Sequence, residues 1–239
     1  MSKRMRLLIG LAVIAALAGA IAATTSAQQT AAGPAKQSAD ASKPCCVVKA
    51  GETSAACPLK KTEDGWLVLF DGTNLDCWQN ARKPGAENKW SIDGDAITNA
   101  PHGNDIATKC ALKDFELQLE FKIVPQGNSG VYLRGRIEVQ VLDSFGKTQV
   151  DKADNGGIYD KFAPLVNASK PAGEWNQLEA HYVGDTLTVK LNGQVVIDNQ
   201  KIAELTGGAL PGGVDDPGPL MLQGDHGKVW YRNIKVRPL

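Results

Sequence analysis

The sequence predicts an all-β protein over residues 62–239, built as a two-sheet antiparallel jelly-roll sandwich. Three observations predict it. The stretch "FELQLEFKIV" alternates Phe115, Leu117, Leu119, Phe121 and Ile123 with Glu116, Gln118, Glu120 and Lys122. Such a period of two leaves one buried face and one wet face. Short apolar runs also recur between "DG", "GD" and "NG" turns, the pattern of antiparallel strands joined by tight connections. No segment holds a helical period beyond a turn near "IAELTG". A domain of about 180 residues exceeds an immunoglobulin-like sandwich and suits a jelly roll.

The elements follow in order. "GWLVLF" is a short apolar strand closed by the turn "DGTN", and "WSIDGDAITN" is two strands around an Asp-Gly turn. The alternating run at 115–123 comes next, then "NSGVYLRGRIEVQVLD" at 128–143. "NQLEAHYVGDTLTVKLNGQVVID" reads as three strands, and "GPLMLQGDHGKVWYRNIKVRPL" as a final pair around "GDHG". Trp66, Trp78, Trp90 and Trp175 are expected to anchor strands in the core, with Trp230 closing the sandwich.

The N-terminus lies outside this domain. "MSKRMR" is a basic leader, "LLIGLAVIAALAGAIAA" an apolar run, and "TSA" a small-residue cleavage site, so residues 1–27 read as a signal peptide. An uncleaved anchor is the rival, although the Ala- and Gly-rich run is short for a bilayer. Residues 28–61 read as an Ala/Ser/Pro/Cys linker. The mature chain is therefore expected in the periplasm or outside the cell, without stable membrane insertion. In an oxidising compartment Cys45, Cys46, Cys57, Cys77 and Cys110 are expected to form disulfides, and an odd count leaves at least one over. Twenty-six basic and twenty-six acidic residues cancel, and losing Lys3, Arg4 and Arg6 leaves −3. Such a balance gives no field for nucleic acid.

One strand raises a functional question. In "RIEVQV", Ile137, Val139 and Val141 share one side, while Arg136, Glu138 and Gln140 share the other. Arg, Glu and Gln in file are multivalent hydrogen-bonding groups, suited to a hydroxyl-rich ligand in a groove; a wet cross-strand charge ladder is the alternative. "NSG" at 128–130 and "GDHG" at 224–227 set polar side chains among glycines, where backbone can approach a ligand closely. Tyr132, Tyr159 and Phe162 flank these segments and can stack on a sugar, while His181 in its alternating strand reads as structural.

Five segments in register, "LFDGTNLDCW", "EFKIVPQGNSGVYLRGRIEVQVLDS", "GGIYDKFAPLVNASKPAGEWN", "LNGQVVID" and "GPLMLQGDHGKVWYRNIKV", resemble the 3-keto-disaccharide hydrolase family. The resemblance covers residues 62–239 and implies the concanavalin A-like lectin/glucanase fold and a small-molecule carbohydrate substrate. The family commonly carries Gly where this chain has Asp160. The implied chemistry is cleavage of a 3-keto-glycoside: a base removes the C2 proton, the C1 substituent is eliminated, and water adds back. A sugar 3-oxidoreductase acting upstream would supply the ketone. Such a route needs a base, an electrophile at the C3 oxygen and an acid for the leaving group.

On chemical grounds His226 is the first choice as base, with Glu138 as alternative base or acid if burial raises its pKa. Arg134 or Arg136 would polarise the C3 carbonyl, with Lys161 sharing that role, and Asn128, Gln140 and Gln223 would hold hydroxyls. A divalent ion such as calcium is compatible with Glu138, Asp143 and His226, or with Asp71 in its turn. Two other readings stand beside the enzyme. A glycan-binding module of the same fold needs only the groove. A direct glucanase would need a second acid where "IEVQVLD" has Gln140.

Overall fold

The computed structural model describes residues 59–239; the leader, nearly all of the linker, and Cys45, Cys46 and Cys57 lie outside the described residues. Among the described residues there are fourteen strands and no helix. The larger sheet contains β1 (Lys60–Lys61), β2 (Leu67–Phe70), β4 (Trp90–Asp93), β5 (Ala96–Asn99), β7 (Phe115–Ile123), β10 (Asn176–Val183), β11 (Thr186–Leu191), β12 (Gln194–Lys201) and β14 (Val229–Pro238). The smaller sheet runs β3 (Trp78–Asn80), β6 (Ile106–Thr108), β13 (Met221–Leu222), β8 (Asn128–Leu133) and β9 (Ile137–Leu142). All pairings are antiparallel. The protein is a two-sheet jelly-roll sandwich, as the alternation predicts.

The alternating run becomes β7, and its odd-numbered residues from Phe115 to Ile123 are all buried against the other sheet. The "DG" at Asp93–Gly94 and the "NG" at Asn192–Gly193 close the β4–β5 and β11–β12 hairpins. Asn192 and Gly193 both take positive φ, 52° and 79°, which Asn and Gly adopt at least cost. β14 is the hub. One of its edges pairs with β5 at Trp230–Tyr231 and then with β2 from Ile234 onward, and the switch coincides with an irregularity at Asn233, φ 52°.

The core between the sheets joins Phe115, Leu117, Leu119 and Phe121 to Val131, Leu133, Ile137, Val139 and Val141. Each of these is no more than 1% exposed. Burying one such side chain contributes roughly 1.5–3 kcal/mol.

Several expectations need correcting. Lys60 and Lys61, assigned to the linker by composition, pair with Val68 and Leu67 as an edge strand. The two strands around "GDHG" are not partners: β13 belongs to the smaller sheet and β14 to the larger, so their connection crosses between sheets. Trp66, Trp78 and Trp90 are buried as expected, but Trp175 and Trp230 are half-buried on the outer face of the larger sheet. There the Lys122 ammonium lies 4.9 and 4.8 Å from their ring centroids. These two rings are held by a cation and cover the sheet rather than fill the core. Cys77 is disulfide-bonded.

Candidate active site

The outer face of the smaller sheet carries the candidate site. Because alternate residues of a strand point to opposite faces, burying Ile137, Val139 and Val141 forces Glu138 and Gln140 outward. Outward is not wet here: each of these two is only 3% exposed. Burial of both side chains goes against the wet charge ladder, the alternative to a groove. Instead the 156–162 segment lies along the free edge of β9, with Tyr159 N–H donating to Glu138 O (3.1 Å) and Gln140 N–H donating to Gly157 O (2.9 Å). Thr206 Oγ1 closes the same edge, accepting from Glu138 N (3.0 Å). Asp160 in that segment sits at φ 59°, the left-handed region that glycine adopts at least cost.

A cross-strand row builds the floor. Register places Ala107, Met221, Tyr132 and Glu138 opposite one another in succession across β6, β13, β8 and β9. In the adjacent row Gly130 faces Gln140. A Cβ on Gly130 would stand 2.3 Å from Glu138 Oε1, so the glycine is what leaves room for the carboxyl group.

Tyr132 Oη donates to Glu138 Oε2 at 2.8 Å, and Gly207 O lies 3.0 Å from the same hydroxyl. This arrangement serves both protonation states. With Glu138 ionised, the phenol donates to it; with Glu138 protonated, the acid can donate to the phenol, which turns to Gly207 O. Burial pushes the Glu138 carboxyl up to about 7; the Tyr132 hydrogen bond and His226 pull it down, while Asp105 and Asp225 add to the rise. Burial and then Glu138 hold the Tyr132 phenol well above its ordinary value. Glu138 is therefore poised to take or give a proton near neutral pH.

His226 reaches the site on the β13–β14 loop. Its Nδ1 lies 2.6 Å from Asp225 Oδ1, and both side chains are about half exposed (50% and 53%). Two buried acceptors, Gln140 Oε1 and Gln223 Oε1, have no hydrogen-bond partner among the described residues. Gln140 Nε2 donates to Asn128 Oδ1 at 3.2 Å. Each of these amide oxygens can accept a hydrogen bond.

Three predicted cations are not brought here. Arg134 is wholly buried with its guanidinium 3.7 Å from the Tyr182 ring centroid, and it donates to Lys113 O, Gly184 O and Asp114 Oδ1. Arg136 is committed to the carbonyls of Pro211, Arg134, Asp216 and Pro217. Both fasten loops to the sheet. Lys161 pairs with Glu204 at 2.7 Å, in a recess with Lys152 and Lys201. Glu138, Asp143 and His226 do not form a metal-binding group, since no three His, Cys, Asp or Glu among the described residues are so placed. Asp143 Oδ2 accepts from Gln126 N, and Asp71 binds Lys60 and Thr73.

Sequence reasoning missed Arg82 and Asp105. Asp105, 6% exposed, accepts from Gly224 N (3.1 Å) on the His226 loop and from Arg82 Nε (3.1 Å). Nothing in "NARKPG" or "HGND" sets these residues apart, because their role depends on loops more than a hundred residues away.

The family model described as the 3-keto-alpha-glucoside-1,2-lyase-like domain matches residues 65–237. A 3-keto-disaccharide hydrolase from Bacteroides thetaiotaomicron is 26% identical over 230 residues, which is 74% of this chain and 79% of that protein. A Parabacteroides distasonis protein assigned to the glycosyl hydrolases superposes with a TM-score of 0.64 at 31% identity, over 73% of this chain and 84% of the other. A second from the same organism gives 0.62 at 24% identity, over 74% and 94%, and shows the shared fold.

Proposed function

The chain belongs to the 3-keto-alpha-glucoside-1,2-lyase-like family of carbohydrate-active enzymes, and from that premise we propose that it cleaves a 3-keto-glycoside by elimination and hydration. The observation that carries the reading is Glu138: a buried carboxyl on the outer face of the smaller sheet, pushed by burial up to about 7. Sugar binding alone does not need such a group, whereas removal of a carbon-bound proton does.

Ionised Glu138 takes the C2 proton; the C2–H electron pair becomes a C2=C3 π bond, and the carbonyl π pair moves onto the C3 oxygen. The enolate then collapses. Its oxygen lone pair reforms the carbonyl, the C2=C3 pair shifts to C1=C2, and the C1–O bond breaks with its electrons on the leaving oxygen. His226, half exposed at the rim and fixed by Asp225, supports proton delivery to that oxygen. Water then adds its oxygen to C1 and gives up a proton that restores the one delivered to the leaving oxygen, and Glu138, its proton exchanged with solvent, protonates C2, giving net hydrolysis. Burial favours Glu138 over His226 as base, because a fixed and desolvated carboxylate needs little reorganisation at the moment of reaction. Gln140 Oε1 and Gln223 Oε1 would accept sugar hydroxyls. The same reading has an exported mature chain, supported by the leader pattern, and a sugar 3-oxidoreductase upstream.

The test is a 3-keto-disaccharide in deuterated water, followed by NMR. Sugar release with deuterium entering C2, abolished in Glu138→Gln, is the expected result. Release without deuterium at C2 would mean direct hydrolysis. Saturable binding with no release would mean a glycan-binding module.

A further inference from the structure

The proposed reaction places negative charge on the C3 oxygen, and the cations nominated for it from sequence are occupied elsewhere. Arg134 and Arg136 are spent on carbonyls, and Lys161 on Glu204. Arg82 is different. Its Nη2 donates to Gly208 O, the carbonyl next to Gly207 O, which lies 3.0 Å from the Tyr132 hydroxyl, so successive carbonyls of one loop hold the guanidinium and the direct partner of Glu138. Its backbone is fixed, since Asn80 Oδ1 accepts from both Arg82 N (3.1 Å) and Lys83 N (3.0 Å). Its side chain is fixed at two corners: Nε donates to Asp105 Oδ2 (3.1 Å) and Nη2 to Gly208 O (2.6 Å). The third corner, Nη1, has no hydrogen-bond partner among the described residues, and the side chain is 47% exposed. A guanidinium clamped on one side and open on the other is a preorganised donor for an oxygen that gains charge.

We propose that Arg82 Nη1 binds the C3 oxygen of the 3-keto sugar, as a ketone on binding and as the enolate oxygen after the proton leaves C2. This rests on the reading given under Proposed function and adds the residue that recognises the ketone. Asp105 acts as its positioning residue. It holds the guanidinium and, through Gly224 N, the His226 loop, so one carboxylate registers both against Glu138.

Two measurements on the whole chain test it. The first is the equilibrium affinity for 3-ketoglucose and for glucose, by calorimetry, in wild type, Arg82→Ala and Arg82→Lys. Wild type should prefer the ketone, and Arg82→Ala should lose about tenfold of that preference. The second is turnover of the 3-keto-disaccharide. Here kcat/KM should fall by about a hundredfold or more in Arg82→Ala, with partial recovery in Arg82→Lys or on adding guanidinium ion. The recovery separates loss of the donor from misfolding.

Equal ketone preference and equal kcat/KM in Arg82→Ala overturn the proposal, as does a wild type that does not distinguish ketone from alcohol. A wild type that shows Arg82-dependent ketone preference but no turnover overturns the proposed reaction and leaves the ketone contact standing.

Discussion

Tyr132 and Glu138 stand directly opposite one another on β8 and β9, and the phenol donates a 2.8 Å hydrogen bond to the carboxylate. The pair is a single acid–base unit, because Gly207 O offers the phenol a second acceptor when the carboxyl gains its proton. Its consequences can be measured one at a time.

Tyr132→Phe removes the donor that favours the ionised carboxyl, so the Glu138 pKa should rise above about 7. If ionised Glu138 is the base, the ascending limb of the pH–rate profile moves to higher pH by the same amount. A carbon-13 titration of the Glu138 carboxyl gives the shift without substrate. An unmoved or lowered pKa would refute the assignment of Tyr132.

Glu138 should also weaken the fold at neutral pH. Its folded pKa of about 7 lies above the ordinary value of 4.5, so between those values the native state binds more protons than the unfolded state. Stability therefore falls as pH rises through this window, by on the order of 3 kcal/mol for this group. Glu138→Gln should thus be more stable than wild type at pH 8 and near parity at pH 4, while inactive. Denaturant unfolding of both proteins at the two pH values checks it; a constant difference would contradict the buried-carboxyl assignment.

Gly130→Ala places a methyl 2.3 Å from Glu138 Oε1, well inside contact distance. The carboxyl must move, and the strain should cost about 1–3 kcal/mol. Activity should fall by a factor of a hundred or so, since a shift of about 1 Å at a reacting group has that effect. Full activity would show that the carboxyl reacts from another position.

Arg134→Met tests the reassignment of a residue that sequence alone nominated for catalysis. It leaves Lys113 O and Gly184 O without their donor and should cost about 3 kcal/mol or more of stability. The folded fraction should keep its kcat. Unchanged stability with a collapsed kcat would return Arg134 to the chemistry.

What the sequence revealed and what it hid divide along a physical line. The period of two in "FELQLEFKIV" and the "DG" and "NG" turns are local signals, and β7 and the two hairpins follow from them. The Arg136–Glu138–Gln140 file was legible as a face, and Glu138 and Gln140 share it. Arg136 does not serve it, because the partners that capture its guanidinium lie at Pro211, Asp216 and Pro217. No local pattern announces a carbonyl cage assembled from a distant loop. Asp105 and Arg82 were hidden for the same reason: each becomes notable only when Gly224 and Gly208 arrive beside it. Trp175 and Trp230 misled because indole hydrophobicity does not distinguish packing in a core from lying flat beneath a lysine.

The connection from β13 to β14 leaves the smaller sheet and enters the larger one, and it carries Asp225 and His226 on the way. Glu138 belongs wholly to the smaller sheet. The two groups proposed to move protons therefore owe their spacing to how the sheets are docked, not to either sheet alone. Catalysis should consequently report on the sandwich interior. On heating, turnover should vanish together with the near-ultraviolet signal of packed aromatics, before the strands themselves are lost, so a molecule with intact strands and a loosened core would be folded in outline and silent in function.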